Sequence, residues 1–216
     1  MDLTAFSPSS ALVTVLFLAL APFVAVMLTS FTKIVVVLSL LRNALGLQQV
    51  PPNIVLNGLA IVLTMYVMYP VGQQMSEALG GQTNVTENAE SLLAAADAAK
   101  EPLREFLVKH SNERERSFFL DTLNRMSTDQ STSVEATDFI VIVPAFTISE
   151  LTTAFQIGFL IFLPFIIIDL VIANILMAMG MMMLSPTVVS LPFKLLLFVL
   201  LEGWVKLAHG LVLSYL

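Results

Sequence analysis

Four long apolar stretches and one polar region divide the chain. Each stretch covers 18 to 27 residues, and an α-helix needs about 20 to cross the hydrocarbon core of a bilayer. Proline, or asparagine and glycine, falls inside several of them, so we expect bent or broken helices. The stretches are residues 11–29 with Pro22, 54–71 with Asn57, Gly58 and Pro70, 153–179 with Pro164, and 191–213. The pattern predicts an all-α, membrane-associated fold with four apolar helical segments.

The polar region, residues 73–138, holds 12 Asp and Glu residues against six Lys and Arg. Apolar residues recur at helical spacing on both sides of residues 111 and 112, which predicts a small helical insertion of two short amphipathic helices. Flexible connections are expected at 80–88 and 127–137. The chain thus divides into regions 1–72, 73–138 and 139–216. The recurring apolar residues are Leu103, Phe106, Leu107, Phe119, Leu123 and Met126.

Composition narrows the class of protein. The 216 residues are 57% hydrophobic and 12% charged, with mean hydropathy +0.88. A soluble domain carries about 25% charged residues, so the chain belongs in a membrane or a membrane assembly. The net charge of −6 argues against nucleic-acid binding. Cysteine is absent, there are two histidines, and no phosphate-loop, nucleophile-elbow or zinc-protease motif occurs. We therefore expect no enzyme activity, catalytic residue, metal or cofactor.

Two acids stand alone in the apolar region of the C-terminal part. No charged residue lies between Glu150 and Asp169, or between Asp169 and Lys194. A charge at membrane depth costs at least about 2.5–3.5 kcal/mol, so such residues usually face protein, water or a partner charge. Asp169 is therefore expected to be a buried polar group. Glu150 is either of the same kind or an acid at a helix end at the interface.

The last apolar stretch carries a polar stripe. Glu202, Lys206 and His209 are spaced so that they share one face of a helix, and Glu202 precedes Lys206 in the order that favours an ion pair. We expect Glu202 and Lys206 to be buried polar residues that meet protein or water. The alternative is a solvated helix end at the interface.

Methionines crowd the end of the third stretch. Met181, Met182 and Met183 are consecutive, so they cannot share one helical face. Gly180 precedes them and Pro186 follows soon after, and both residues favour a break in helical structure. The pattern predicts a loop at a helix end that presents a deformable apolar surface.

These residues resemble the signatures of a known family. One signature comprises PAF at 144–146, SEL at 149–151 and FQIGF at 155–159; a second comprises PFIIIDLV at 164–171, Leu176 and MGMMM at 179–183. RNALGLQQ at 42–49 and the segment from Pro52-Asn53 to Gly58 are similar as well. The pattern resembles the FliP/SctR family, the export-gate subunits of bacterial type III secretion systems. Only residues 73–138 lack such a motif.

The resemblance implies a function and partners. Family members form a ring of five copies that joins FliR/SctT-type and FliQ/SctS-type subunits into the portal for unfolded protein substrates. Their helical hairpins sit largely above the plane of the inner membrane, and their methionine loop closes the pore at rest. That role would fall here to Met181, Met182 and Met183.

Orientation is predicted from positive charges next to the apolar stretches. The short connection after the first stretch holds Lys33 and Arg42, and Lys194 closely follows the connection between the third and fourth stretches, so we expect both connections on the cytoplasmic side of the inner membrane. The insertion and both termini would then face the periplasm. The first ten residues lack a basic region of the kind that begins a signal peptide, which favours the injectisome (SctR) branch over the flagellar one.

Three hypotheses follow for the charged residues and the chain's role. Glu150 and Lys194 have opposite charges in different apolar stretches, and we expect them to pair between neighbouring subunits. A rival function is a solute or proton transporter subunit that uses Asp169. A second rival is a structural scaffold around which other subunits conduct.

Overall fold

A computed structural model describes residues 25–47, 49–80, 89–126, 134–181 and 183–216, together with positions 15, 19, 20, 22 and 23. The first predicted apolar stretch is therefore described only in part. Every regular element among these residues is a helix, which confirms the all-α fold. The helices are α1 (Phe31–Ala44), α2 (Asn53–Gly80), α3 (Ala89–His110), α4 (Glu113–Met126), α5 (Phe139–Ala178), α6 (Pro186–Leu200) and α7 (Gly203–Leu213).

Helix α1 lies at the centre of the fold. Its apolar residues reach two of the three core clusters: Ile34, Val37 and Leu38 pack with α2, α5 and α7, whereas Leu41 and Ala44 pack with α5 and α6. The third cluster joins α2, α3, α5 and Tyr215. Every residue of α1 except Asn43 is buried or half-buried. This short helix therefore organises the longer ones around it.

Helix α1 ends in a motif that its sequence specifies. Gly46 has φ of +78°, a conformation that glycine adopts without a steric penalty. The Gly46 amide donates to the Asn43 carbonyl, and the Leu47 amide donates to the Arg42 carbonyl, which is the hydrogen-bond pattern of a Schellman motif. The Arg42 guanidinium then donates to the Pro51 carbonyl and to Asn53. The turn into α2 is thus held at both ends.

Helix α5 is much longer than the sequence pattern indicated. It has 40 residues and begins at Phe139, so the predicted start near residue 153 is wrong. Pro144 and Pro164 lie inside it. Helix α2 also continues through Asn57, Gly58 and Pro70, so the expected break there does not occur. Asn57 and Gly58 are exposed, and their weak helix-breaking tendency is outweighed by the packing of the buried residues beside them, Leu56 and Ala60.

The polar insertion contains two helices, as predicted. Helices α3 and α4 meet at Ser111 and Asn112, and the Asn112 amide donates to the Ser149 hydroxyl of α5 at 2.8 Å. The Arg116 guanidinium donates to the Val108 and Ser111 carbonyls, which fixes the turn between the two helices. The predicted connections lie outside the described residues at 81–88 and 127–133.

Two of the described helices are long and apolar enough to cross a membrane. They are Asn53–Ala78 and Phe139–Ala178, and the bent pair α6–α7 adds a third if it counts as one span. The pair bends by 59° at Leu201 and Glu202. Glu202 has a positive φ of 52°, and the Phe198 ring packs where a side chain on Gly203 would lie. The fourth apolar stretch is therefore a broken helix.

Gly158 of α5 packs closely against Leu40 of α1, so a larger side chain at this position should destabilise the fold. A methyl group added at Gly158 would lie 2.2 Å from Leu40 Cδ1 and 3.2 Å from Leu40 Cβ. The end of the Leu40 side chain can move, but its Cβ cannot move without the helix. Gly158→Ala should therefore lower the free energy of unfolding by about 1–3 kcal/mol relative to a control, as overpacking typically does.

Gly58→Ala on α2 is the matched control, because nothing lies within 4 Å of the added methyl group. Thermal unfolding in detergent, followed by circular dichroism, would measure both variants. Equal stability of the two variants would contradict close packing at Gly158.

Candidate functional site

The methionine loop, residues 179–185, joins α5 to α6 at one end of the molecule. Gly180 has φ of +75° and its amide donates to the Met177 carbonyl, while the Met181 amide donates to the Leu176 carbonyl. This is the same helix-ending motif as at Gly46. Helix α6 begins at Pro186, a residue favoured at the first position of a helix. The sequence therefore determines both ends of the loop.

The described methionines of the loop, Met179, Met181 and Met183, face outward. The side chains of Met181 and Met183 are exposed, and those of Met177 and Met179 next to them are exposed as well. Met182 lies outside the described residues. Exposed thioether side chains form a flexible apolar surface that adapts to different partners. The structure thus places Met181 and Met183 on a loop at a helix end, as the sequence predicted.

Asp169 joins α5 to α6 beneath this loop. Its carboxylate lies 2.6 Å from the Lys194 ammonium and accepts a hydrogen bond from the Ser190 hydroxyl. The Asp169 side chain is 31% exposed, whereas that of Lys194 is 5% exposed. Lys194 also donates to the Ala44 carbonyl at the end of α1, at 3.4 Å. Asp169 is thus half-buried and paired, and the three helices α1, α5 and α6 meet at this point.

Glu150 lies inside α5, in its N-terminal third, and is almost completely buried. Its carboxylate lies 3.1 Å from the Lys33 ammonium, and both side chains are 3% exposed. The Tyr215 hydroxyl donates to the other carboxylate oxygen, and the Lys33 ammonium sits 3.5 Å from the centre of the Tyr215 ring. The structure thus excludes a helix-end position for Glu150. Helices α1 and α5 and the C-terminal Tyr215 converge here.

The polar insertion covers this buried pair. His110, at the end of α3, packs against Tyr215 with ring centres 5.1 Å apart and against Phe106 at 4.7 Å. Burial, together with the nearby charges of Lys33 and Lys109, lowers the pKa of His110 to about 4. His110 is therefore neutral at neutral pH and adds no positive charge beside Lys33.

Lys33 and Tyr215 are the residues that sequence reasoning missed. The sequence predicts Lys33 in a short connection after the first apolar stretch, but it lies inside α1 and is buried. Lys194 also lies inside a helix, α6, and is buried. Of the three positive charges from which the orientation is predicted, only Arg42 therefore lies at a helix end. The sequence did contain a signal for Lys33, because it is a lone charge within an apolar run. The same kind of signal identified Glu150.

Both charges that were expected to meet between subunits have partners inside the chain. Glu150 pairs with Lys33 and Lys194 pairs with Asp169. A contact between Glu150 and Lys194 of neighbouring copies would have to replace these two ion pairs. That contact stays a prediction, whereas the intrachain pairs are observed.

Glu202, Lys206 and His209 do not form the predicted stripe. Glu202 lies at the bend between α6 and α7, so it is not on a continuous helix with the other two. All three are exposed, and no ion pair joins Glu202 to Lys206, which both belong to the described part of the chain. In the single chain Glu202 and Lys206 are therefore exposed, which fits the alternative of a solvated helix end, and their burial in an assembly stays a prediction.

The buried pair of Lys33 and Glu150 generates a prediction about stability. Glu150→Gln leaves the Lys33 charge buried without a counter-charge, which should cost about 3–5 kcal/mol. The double variant Lys33→Met with Glu150→Gln removes both charges and should recover most of that loss. Thermal unfolding of the purified chain would measure both.

Asp97→Asn is the control, since Asp97 pairs with Lys100 at the surface and should not change stability measurably. A double variant as unstable as Glu150→Gln alone would show that the loss does not arise from an unpaired buried charge.

Comparison with known proteins places the chain in a family. It matches the FliP family over residues 12–211. It is 54% identical over 199 residues to Yop proteins translocation protein R of Yersinia pestis, covering 92% of each chain. It is 50% identical over 210 residues to hypersensitivity response secretion protein HrcR of Ralstonia nicotianae, covering 96% of this chain and 97% of the relative.

A flagellar relative is similar along most of its length too. Flagellar biosynthetic protein FliP of Bacillus subtilis is 46% identical over 198 residues, covering 91% of this chain and 87% of the relative. Matches of this extent include α1, α5, the methionine loop and α6. The chain therefore belongs to the FliP family, on its injectisome (SctR) side.

Proposed function

We propose that this chain is a subunit of the export gate of a type III protein secretion system. In this proposal, several copies assemble in the bacterial inner membrane around a pore for unfolded protein substrates, and the methionine loop constricts that pore. The observation that carries the proposal is the outward presentation of Met181 and Met183 on a loop at the end of a long helical hairpin. The family relatives named for secretion and translocation support it.

The length of α5 supports assembly with other chains. Its 40 residues span about 60 Å, about twice the thickness of the hydrocarbon core. Apolar side chains are exposed along the helix, from Ile148 to Ile175. A bilayer can cover about half of that length, and leaving the rest in water would be unfavourable. Neighbouring protein is therefore needed to cover it.

The partners in this proposal are further copies of the chain, five in all, with FliR/SctT-type and FliQ/SctS-type subunits. Exposed apolar faces on both α2 and α5 provide two separate surfaces for them. A closed ring requires two contact surfaces on each copy, because each copy contacts a neighbour on either side. The family resemblance, and not the single chain, supplies the copy number.

The chemistry of the loop fits a constriction. Methionine side chains are apolar, so a ring of them excludes ions and water when it is narrow. They are also unbranched and flexible, so the ring can yield to the varied side chains of a passing polypeptide and then close again. Bulky rigid side chains would close the pore but would not adapt to this variety.

The orientation in this proposal places much of the protein, including α3 and α4, toward the periplasm. The acidic composition of the insertion suits an aqueous environment. Because Lys33 and Lys194 are buried in ion pairs, the support from positive charges is limited to Arg42 at the end of α1.

The position of Asp169 weighs against a proton relay. Its carboxylate is held by Lys194 and Ser190, and Glu150 is held by Lys33 and Tyr215. The two acids are 19 residues apart on one helix, which corresponds to about 28 Å. A relay would need further ionisable groups between them, and α5 carries none there.

Substitution of the methionine loop tests the proposal. Replacing Met181, Met182 and Met183 together with Ala shortens three side chains on each copy, so the closed pore should widen and conduct ions several-fold more than the parent complex. The measurement is ion flux through the complex, assembled with its partner subunits and reconstituted in vesicles.

Met126→Ala is the control, because Met126 is exposed on α4 of the polar insertion, away from the loop and from the apolar faces of α2 and α5. An intact complex that conducts no more ions than the parent after the triple substitution would rule out the loop as the constriction.

A further inference from the structure

We propose that Asp169, Lys194 and Ser190 position the methionine loop by fixing the base of the α5–α6 hairpin. The three residues are called the hairpin staple below. The inference rests on the proposed function, since it assigns a cause to the closed position of the loop. It concerns positioning residues, because none of the three is on the loop itself.

The staple lies just beneath the loop on both helices. Asp169 is about 13 Å from the end of α5 at Ala178, and Lys194 is about 12 Å from the start of α6 at Pro186, at the usual rise per residue. Ser190 lies between Lys194 and the loop, on the same side of α6, and is completely buried. The polar contacts thus cross the hairpin at two adjacent turns of α6.

Apolar packing contributes little beyond the staple. Between Asp169 and the loop, Leu176 is the buried residue of α5, and in α6 residues 186–189 are exposed or half-buried. The nearest core cluster joins Phe165 and Phe198, which lie on the other side of the staple from the loop. The end of the hairpin therefore projects beyond the packed core, and the ion pair is its last strong attachment.

The staple also connects the hairpin to the centre of the fold. Lys194 donates to the Ala44 carbonyl, one of the carbonyl groups that α1 leaves unpaired at its C-terminal end. A positive charge is favourable at that end of a helix because the helix dipole is negative there. Lys194 therefore fixes the hairpin relative to α1 as well as α6 relative to α5.

An ion pair fixes the position of α6 against α5 more specifically than apolar packing would. Replacing a buried ion pair with apolar residues is often neutral or stabilising, so stability alone does not account for the pair. Hydrogen bonds and an ion pair are directional, and they specify one register of α6 against α5. Apolar side chains at these positions would allow the two helices to slide or separate with a smaller penalty.

The test measures the distance between α5 and α6 on either side of the loop. The chain has no cysteine, so a double variant with Met177→Cys and Val188→Cys carries spin labels at these two positions and nowhere else on the chain. Both positions are exposed and flank the loop. Dipolar spectroscopy on assembled complexes, in which labelled chains are diluted with unlabelled ones so that few complexes hold two labelled copies, then gives the distance distribution between the two labels of one hairpin. Lys194→Met keeps the side-chain length but removes the charge, and should broaden the distribution and shift it to longer distances.

Two further variants test whether the change in distance arises from loss of the Lys194 charge. Lys194→Arg keeps the charge and should give a distribution close to that of the parent. Lys206→Met is the matched control, since Lys206 is exposed on α7, and it should have no effect. If Lys194→Met does not accumulate, Asp169→Asn removes the other charge of the pair and should broaden the distribution in the same way.

A distribution as narrow in Lys194→Met or Asp169→Asn as in the parent would overturn the staple. Ion flux through the same complexes separates this inference from the proposed function. A broadened distribution with increased flux supports both. A broadened distribution without increased flux supports the staple but contradicts the role of the loop as the constriction.

Discussion

The buried ion pair between Lys33 and Glu150 is the interaction on which the arrangement of the helices depends. Two charges that are 3% exposed would be very unfavourable apart, so α1 and α5 must meet at these residues. The Tyr215 hydroxyl completes the set of partners of Glu150, which brings the C-terminal segment to the same point. All three core clusters pack around the helices joined here.

Helix α5 thus carries two ion pairs with different surroundings. Glu150 is enclosed by α1, Tyr215 and the α3 side of the insertion, whereas the Asp169 side chain is 31% exposed near the loop. The first pair unites the elements of the core, and the second attaches a hairpin whose end extends beyond that core. A rigid centre with an exposed loop at the end of a hairpin suits a subunit that keeps its place in a ring while its loop yields.

Part of this arrangement could be predicted from the sequence. A lone acid in an apolar stretch needs a partner or water, and this pattern identified Asp169 and Glu150. A glycine followed by consecutive methionines favours a loop at a helix end, and this pattern identified the methionine loop. The start of α5 could not be found in this way, because a helix that is apolar on all sides has no periodic pattern to mark its ends. Tertiary packing, which the sequence does not display, keeps Pro144 inside that helix.

The sequence also did not indicate which charged residues form ion pairs with one another. Glu150 and Lys194 have opposite charges, but so do Glu150 and Lys33, and sequence separation alone does not distinguish between the pairs. The bend at Glu202 depends on how the Phe198 ring packs over Gly203, which is again a tertiary contact. The predicted stripe of Glu202 and Lys206 was wrong for this reason.

An image of the complex assembled with its partner subunits, at a resolution that shows side chains, tests the central claim most directly. The account predicts a closed ring in which each Lys33 contacts Glu150, and each Lys194 contacts Asp169, of its own chain, with Met181 to Met183 at the narrowest point of the pore. Lys194 against Glu150 of a neighbouring copy, with Lys33 displaced, would contradict the account of the ion pairs. A monomer or dimer with a solute-sized cavity at Asp169 would contradict the export-gate function itself.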